Sequence, residues 1–149
     1  MPLTTVDGKL PLIITNIEHL KMYKLSKRSK DRLLGVDERL IKVIDLALTI
    51  TNIDFGIPGD GGLRTAERQK ELFDKKLSKC DGYIKESYHQ TGKAFDVYAY
   101  VDGKASWDRC HLTQVAAAIL QAAGMIGYVV KWGGLFKSFT DLPHFEIRD

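Results

Sequence analysis

Two short stretches hold the residues best suited to chemistry. SYHQTGKAFD, residues 87–96, contains His89 and Asp96. DLPHFE, residues 141–146, contains His144, with Asp141 three places before it. Imidazole nitrogen and carboxylate oxygen both ligate divalent cations, and a catalytic zinc site takes three such ligands and keeps a fourth position for water. Two histidines and a carboxylate favour zinc. A single histidine is more often structural than ligating. Two readings therefore stand at this point: His89, Asp96 and His144 hold one metal ion, or they are unrelated polar residues. The remaining histidines, His19 and His111, have no comparable neighbours.

Three ligands so far apart in the chain can meet only if the elements around them bring them together. KAFDVYAYV alternates with period two and predicts one strand. Ala94, Asp96, Tyr98 and Tyr100 share one face, and Phe95, Val97, Ala99 and Val101 share a core face. HFEIR predicts the last strand, with His144 and Glu146 on one side and Phe145 and Ile147 toward the core. His89 ends the loop ahead of the first of these strands, so one turn of chain can carry it to Asp96. The sequence alone does not make the two strands neighbours.

Other elements frame these. GVDERLIKVIDLALTIT predicts a helix capped by Asp37, with Leu40, Ile44, Ala47 and Leu48 on one face. IDFGI predicts a short strand that stops at Pro58 and the glycines after it. A helix capped by Thr65 leaves Arg64 at the end of that glycine-rich loop, beside a cleft. HLTQVAAAILQAAG predicts a further helix closed by Gly124. DG at 102–103 signals a tight turn, and YVVKW predicts another strand. PLIIT, near the start, predicts an additional one. Helices interleaved with short strands, without a regular βαβ repeat, indicate a small α+β domain with a mainly antiparallel sheet. Residues 1–25 read as an extension and 26–149 as the main body of the chain.

The 149 residues suffice for one domain. No signal peptide and no apolar run long enough to span a bilayer is evident. Cys80 and Cys110, 30 positions apart and outside any CxxC pair, predict two reduced thiols. The net charge is only +3, yet KMYKLSKRSKDR, residues 21–32, packs six basic residues around one acid. That stretch is either a solvated face or a patch that attracts a polyanion. No nucleic-acid motif with interleaved aromatics occurs, so no nucleic-acid partner is expected.

SYHQTGKAFD fits SxHxxGxAxD and DLPHFE fits DxPHF[EQ]. Both resemble the zinc peptidases of the Hedgehog/DD-peptidase fold, which include D-Ala-D-Ala carboxypeptidases and dipeptidases. GLRTAERQKELF, VDGKASW and WGGLFKSFTDLPHFEI are similar to one branch, the L-alanyl-D-glutamate endopeptidases used as phage endolysins. The resemblance covers about residues 25–149. It implies one Zn²⁺ per chain held by His89, Asp96 and His144, with Asp141 as catalytic base, Arg64 as transition-state partner and Ser87 as an orienting residue. Leu135 and Phe136 stand where many relatives carry aspartate and tryptophan.

The resemblance implies a peptidoglycan endopeptidase that cuts the L-alanyl-D-glutamate bond of stem peptides. It further implies a monomer that stays in the host cytoplasm, without a membrane span, until a separate pore protein lets it reach the wall from the periplasm. Two alternatives remain: a D-alanyl-D-alanine carboxypeptidase or dipeptidase of the same fold, and a non-catalytic zinc-stabilised binding module.

Overall fold

The computed structural model describes residues 22–149. In chain order these form α1 (Lys27–Arg32), α2 (Glu38–Ile50), β1 (Asp54–Gly56), α3 (Ala66–Asp74), a 3-10 turn (Tyr88–Thr91), β2 (Ala94–Asp96), β3 (Tyr98–Val101) and β4 (Lys104–Ser106). They continue with α4 (Arg109–Met125), β5 (Val130–Trp132), a second 3-10 turn (Gly133–Leu135) and β6 (His144–Ile147). The PLIIT strand expectation, His19 and Lys21 lie outside the described residues.

Among the described residues every strand pairing is antiparallel, in keeping with the α+β reading, but the strands divide between two sheets, β1-β3-β4 and β2-β6-β5. KAFDVYAYV is accordingly two strands, not one. The chain changes sheets at Val97, where the β2–β6 ladder ends: Val97 N–H still reaches Pro143 O in register, but a proline has no N–H to return the bond. Asp96 N–H donates to Gly61 O at 2.8 Å and Val97 N–H to Pro143 O at 3.0 Å. The period-two pattern runs on across the break. Phe95, Val97 and Ala99 are all fully buried, since one core lies under both sheets.

Helix α2 supplies much of that core. Asp37 caps it by accepting from Arg39 N–H, and Leu40, Val43, Ile44 and Ala47 have no exposed surface. Burying each of the larger three side chains contributes about 1.5–3 kcal/mol. The helix packs on α4, whose N-terminus is capped by Asp108. Tyr23 and Leu25 pack on the same core. Helix α4 does not end at Gly124: it continues to Met125, and Gly127 takes the left-handed conformation (φ +80°) that closes the end. Hairpin β3–β4 turns through Asp102 (φ 51°) and Gly103 (φ 74°). Two positive φ values are what a two-residue hairpin loop needs to match strand twist.

The basic stretch is only partly free. Lys27 pairs with Asp31 at 2.8 Å, and Arg32 donates to Ile57 O at 2.7 Å, which commits it to the fold. Lys24, Arg28 and Lys30 are exposed. Cys80 is half-buried and Cys110 exposed, both as free thiols. No helix among the described residues is long and apolar enough to cross a membrane.

Candidate active site

Register carries two of the site residues to each other. In the β2–β6 ladder Asp96 stands directly opposite His144, while Phe95 stands opposite Phe145. Pairing partners share a sheet face. The two phenylalanines stack at 5.2 Å beneath the sheet, and Asp96 and His144 meet above it. Both sides of β6 are enclosed: His144 is 8% and Glu146 3% exposed, so the polar face of this strand is a buried one.

His89 arrives from the 3-10 turn. Ser87 caps that turn, accepting from His89 N–H at 3.3 Å, while Ser87 N–H donates to the Gln90 side chain at 2.8 Å. Gly92 ends the turn at φ +72°, and a Cβ there would lie 2.3 Å from Gly35 O.

Three atoms then form a nearly regular triangle. His89 Nε2 and His144 Nδ1 are 3.2 Å apart, and they lie 3.3 and 3.2 Å respectively from Asp96 Oδ1. His89 Nδ1 is 2.9 Å from Gly62 O, which can only accept, so Nδ1 carries the hydrogen. His144 Nε2 is 2.9 Å from Glu146 Oε2 and donates to it. The nitrogens that face the triangle therefore present lone pairs beside a carboxylate oxygen. Three acceptors without a hydrogen among them repel one another unless a cation sits between. Zinc–nitrogen bonds of about 2.0–2.1 Å in a tetrahedron put ligand atoms about 3.3 Å apart. The residues fit such an ion with one corner open.

The electrostatics ask for the same positive charge. Burial works against a charged His144, but hydrogen bonds to Asp96 and Glu146 outweigh it and push the pKa up to about 9. Burial also pushes the Asp96 carboxyl up, but the neighbouring His89 and His144 hold it well below the usual carboxylate range. A proton is what a metal-free chain can put there.

Arg64 lies against this cluster with its side chain 11% exposed, more enclosed than its place beside a loop suggests. Its Nη2 donates to Asp96 Oδ2 at 2.9 Å, which leaves Oδ1 for the triangle. Its Nε donates to Asp60 O at 2.8 Å and its Nη1 to Gln69 Oε1 at 3.3 Å. Gln69, fully buried, in turn ties down Ser78 Oγ and Cys80 O. Sequence reasoning did not identify Gln69, although a glutamine five residues after Arg64 on the next helix was the available signal.

Asp141 stands at the end of the β5–β6 loop. Its N–H donates to Gly133 O at 3.0 Å, its carbonyl accepts from His144 N–H at 3.2 Å, and Trp132 Nε1–H fastens the adjoining Leu142 O at 2.7 Å. Its carboxyl is raised above the ordinary value, by burial first and by repulsion from Asp96 second. Arg64, Ser87, His89, Asp96, Asp141 and His144 all line one cleft of about 690 Å³. Phe136 stands beside His144, ring centroids 5.9 Å apart, and Leu135 is exposed. His111 is elsewhere, bonded to Ser106 Oγ at 2.8 Å.

Gly62 gives a test of how tightly this region is built. A Cβ there would lie 1.9 Å from Arg32 O, so the backbone must move, and with it the carbonyl that holds His89. Gly62→Ala is expected to cost about 1–3 kcal/mol of stability or more, read as a lower urea midpoint. An unchanged midpoint would show that the loop relaxes freely.

Known proteins share this arrangement of chain and fold. The crystal structure of the L-Ala D-Glu endopeptidase ChiX of Serratia marcescens superposes with a TM-score of 0.74 at 36% identity, covering 84% of this chain and 90% of that one. The L-alanyl-D-glutamate peptidase of Escherichia phage T5 is 28% identical over 130 residues, 85% of this chain and 90% of that protein. The family model described as phage L-alanyl-D-glutamate peptidase matches residues 21–148, which span every element and every site residue above. A match of that extent, together with the shared fold, makes this chain a member of the phage L-alanyl-D-glutamate peptidase family.

Proposed function

We propose that the protein is a zinc-dependent peptidoglycan endopeptidase that hydrolyses the L-alanyl-D-glutamate bond of stem peptides. The observation that carries this reading is the triangle of three lone-pair atoms in a cleft that also holds a carboxylate and a guanidinium. His89, Asp96 and His144 are the ligands. A zinc ion held by them would supply Lewis acidity toward the scissile carbonyl and the attacking water.

The chain's own residues do the rest. The Asp141 carboxylate takes a proton from the attacking water and returns it to the departing amine nitrogen. Arg64 cannot lose its charge, and its five N–H donors exceed the three spent on Asp60, Gln69 and Asp96. The remaining ones stabilise the negative charge that develops on the carbonyl oxygen. Ser87 holds the turn that presents His89.

Mass spectrometry of purified sacculi digested with the zinc-loaded protein tests the reading. Release of peptides that begin with D-glutamate is expected. Release of single terminal alanines instead would assign the protein to the carboxypeptidases, and no release at all would leave a binding module.

We also propose that Lys24, Arg28 and Lys30 help hold the enzyme on an anionic wall. Exposed charges are screened over about 8 Å at physiological ionic strength. Replacing all three by glutamine is expected to weaken sacculus sedimentation at low salt and to spare cleavage of a small soluble muropeptide. Equal sedimentation of the two proteins across a salt series would remove the idea.

A further inference from the structure

We propose that Glu146, fastened by Arg148, is a positioning residue that fixes which ring nitrogen of His144 faces the metal. The inference rests on the metal reading given above. Glu146 follows His144 by two places on β6, so their side chains share a face. Its partners across the two ladders are Ala94 on β2, whose single methyl leaves the glutamate room to lie over the sheet, and Lys131 on β5. The Glu146 side chain is only 4% exposed, and both of its oxygens are used. Oε2 accepts from His144 Nε2–H at 2.9 Å. Oε1 accepts from Arg148 Nε–H at 2.6 Å, and the Arg148 Nη2 lies 2.5 Å from the same oxygen as an ion pair.

An ionised carboxylate can only accept. It therefore keeps the hydrogen on Nε2 and leaves the Nδ1 lone pair for the triangle. The two histidines are set in opposite senses. His89 offers Nε2 and is held through Nδ1 by the neutral carbonyl of Gly62, whereas His144 offers Nδ1 and is held through Nε2 by a charged carboxylate. Negative charge behind an imidazole makes it the stronger donor to a metal. Arg148 adds a second restraint. Its guanidinium lies 5.4 Å from the centre of the Tyr88 ring, at the start of the turn that carries His89. One cation thus links the strand of one ligand to the turn of the other. These bonds turn the Glu146 carboxylate toward the far side of the His144 ring and away from the triangle, so it is not a second base.

Glu146→Gln tests this on the full chain. Arg148 only donates, so it claims the amide oxygen and turns the NH₂ toward His144 Nε2. That forces the imidazole hydrogen onto Nδ1. Zinc affinity, measured by competition with a chromophoric chelator, is expected to fall about 10–100-fold. The unfolding midpoint of the metal-free variant reports separately on the fold. Long-range proton–nitrogen NMR of the zinc-loaded wild type should find the His144 hydrogen on Nε2. That spectrum decides alone if the variant does not fold. Wild-type zinc affinity in a folded Glu146→Gln, or a spectrum with His144 protonated at Nδ1, overturns the positioning role and leaves the metal reading standing. A wild-type chain that takes up no zinc overturns both.

Discussion

His144→Ala is expected to bring zinc content down from one equivalent per chain to background and to abolish hydrolysis of muropeptides. The substitution removes one corner of the acceptor triangle, since His144 Nδ1 lies 3.2 Å from both His89 Nε2 and Asp96 Oδ1. It also strips Glu146, a carboxylate with a 4% exposed side chain, of its imidazole partner. Leaving a buried charge with only one of its two partners is costly, so some loss of stability accompanies the loss of metal. Metal content by atomic absorption, circular dichroism and turnover on the same preparation separate these effects. His111→Ala is the control, because its imidazole bonds Ser106 Oγ and has no part in the cluster. Stoichiometric zinc in a folded His144→Ala protein would end the three-ligand assignment.

Asp141→Asn is expected to behave differently, with zinc content near one per chain, a native fold, and turnover lower by about 10²–10⁴-fold, the usual worth of a positioned general base. What holds Asp141 in place is its backbone, through Gly133 O and His144 N–H, and an asparagine keeps both bonds. The side chain changes only in losing its charge and its ability to accept a proton. Because Asp96 repels the Asp141 carboxylate, the neutral amide relieves a small repulsion, and metal binding should not suffer. Single-turnover rates with saturating muropeptide, beside the zinc content of the same sample, give the answer. Wild-type turnover by a zinc-loaded Asp141→Asn protein would move the base to another group.

The site was legible in the sequence to the extent that its residues sit in two compact motifs. His89 and Asp96 are seven positions apart, and one capped turn joins them. The adjacency of Asp96 and His144 was not legible, because ladder register depends on both strands and on the connections between them. The break at Val97 was hidden for a physical reason. Burial alternates with period two wherever a core lies on one side, and here the same core lies beneath two successive sheets. The end of α4 was misread because Gly124 and Gly127 are both plausible stops, and only Gly127 adopts the left-handed backbone. Arg64 was recognisable as a cleft residue, yet nothing in the sequence revealed its bond to Asp96 or its dependence on Gln69. Glu146 was visible as a neighbour of His144 on one strand face. That it turns both oxygens to named partners needed the fold.

The hairpin at Asp102 and Gly103 offers a point of attachment for engineering. It belongs to the β1-β3-β4 sheet, contributes no residue to the cleft lined by His89, Asp96 and His144, and leaves open space where a Cβ on Gly103 would point. Lengthening a surface loop costs little, about 0.6 kcal/mol for each doubling. A foreign segment spliced between these two residues would therefore ride on the β1-β3-β4 sheet while β2 and β6 stay in register. The same splice at Val97, only five residues earlier, would part Asp96 from the chain that anchors it.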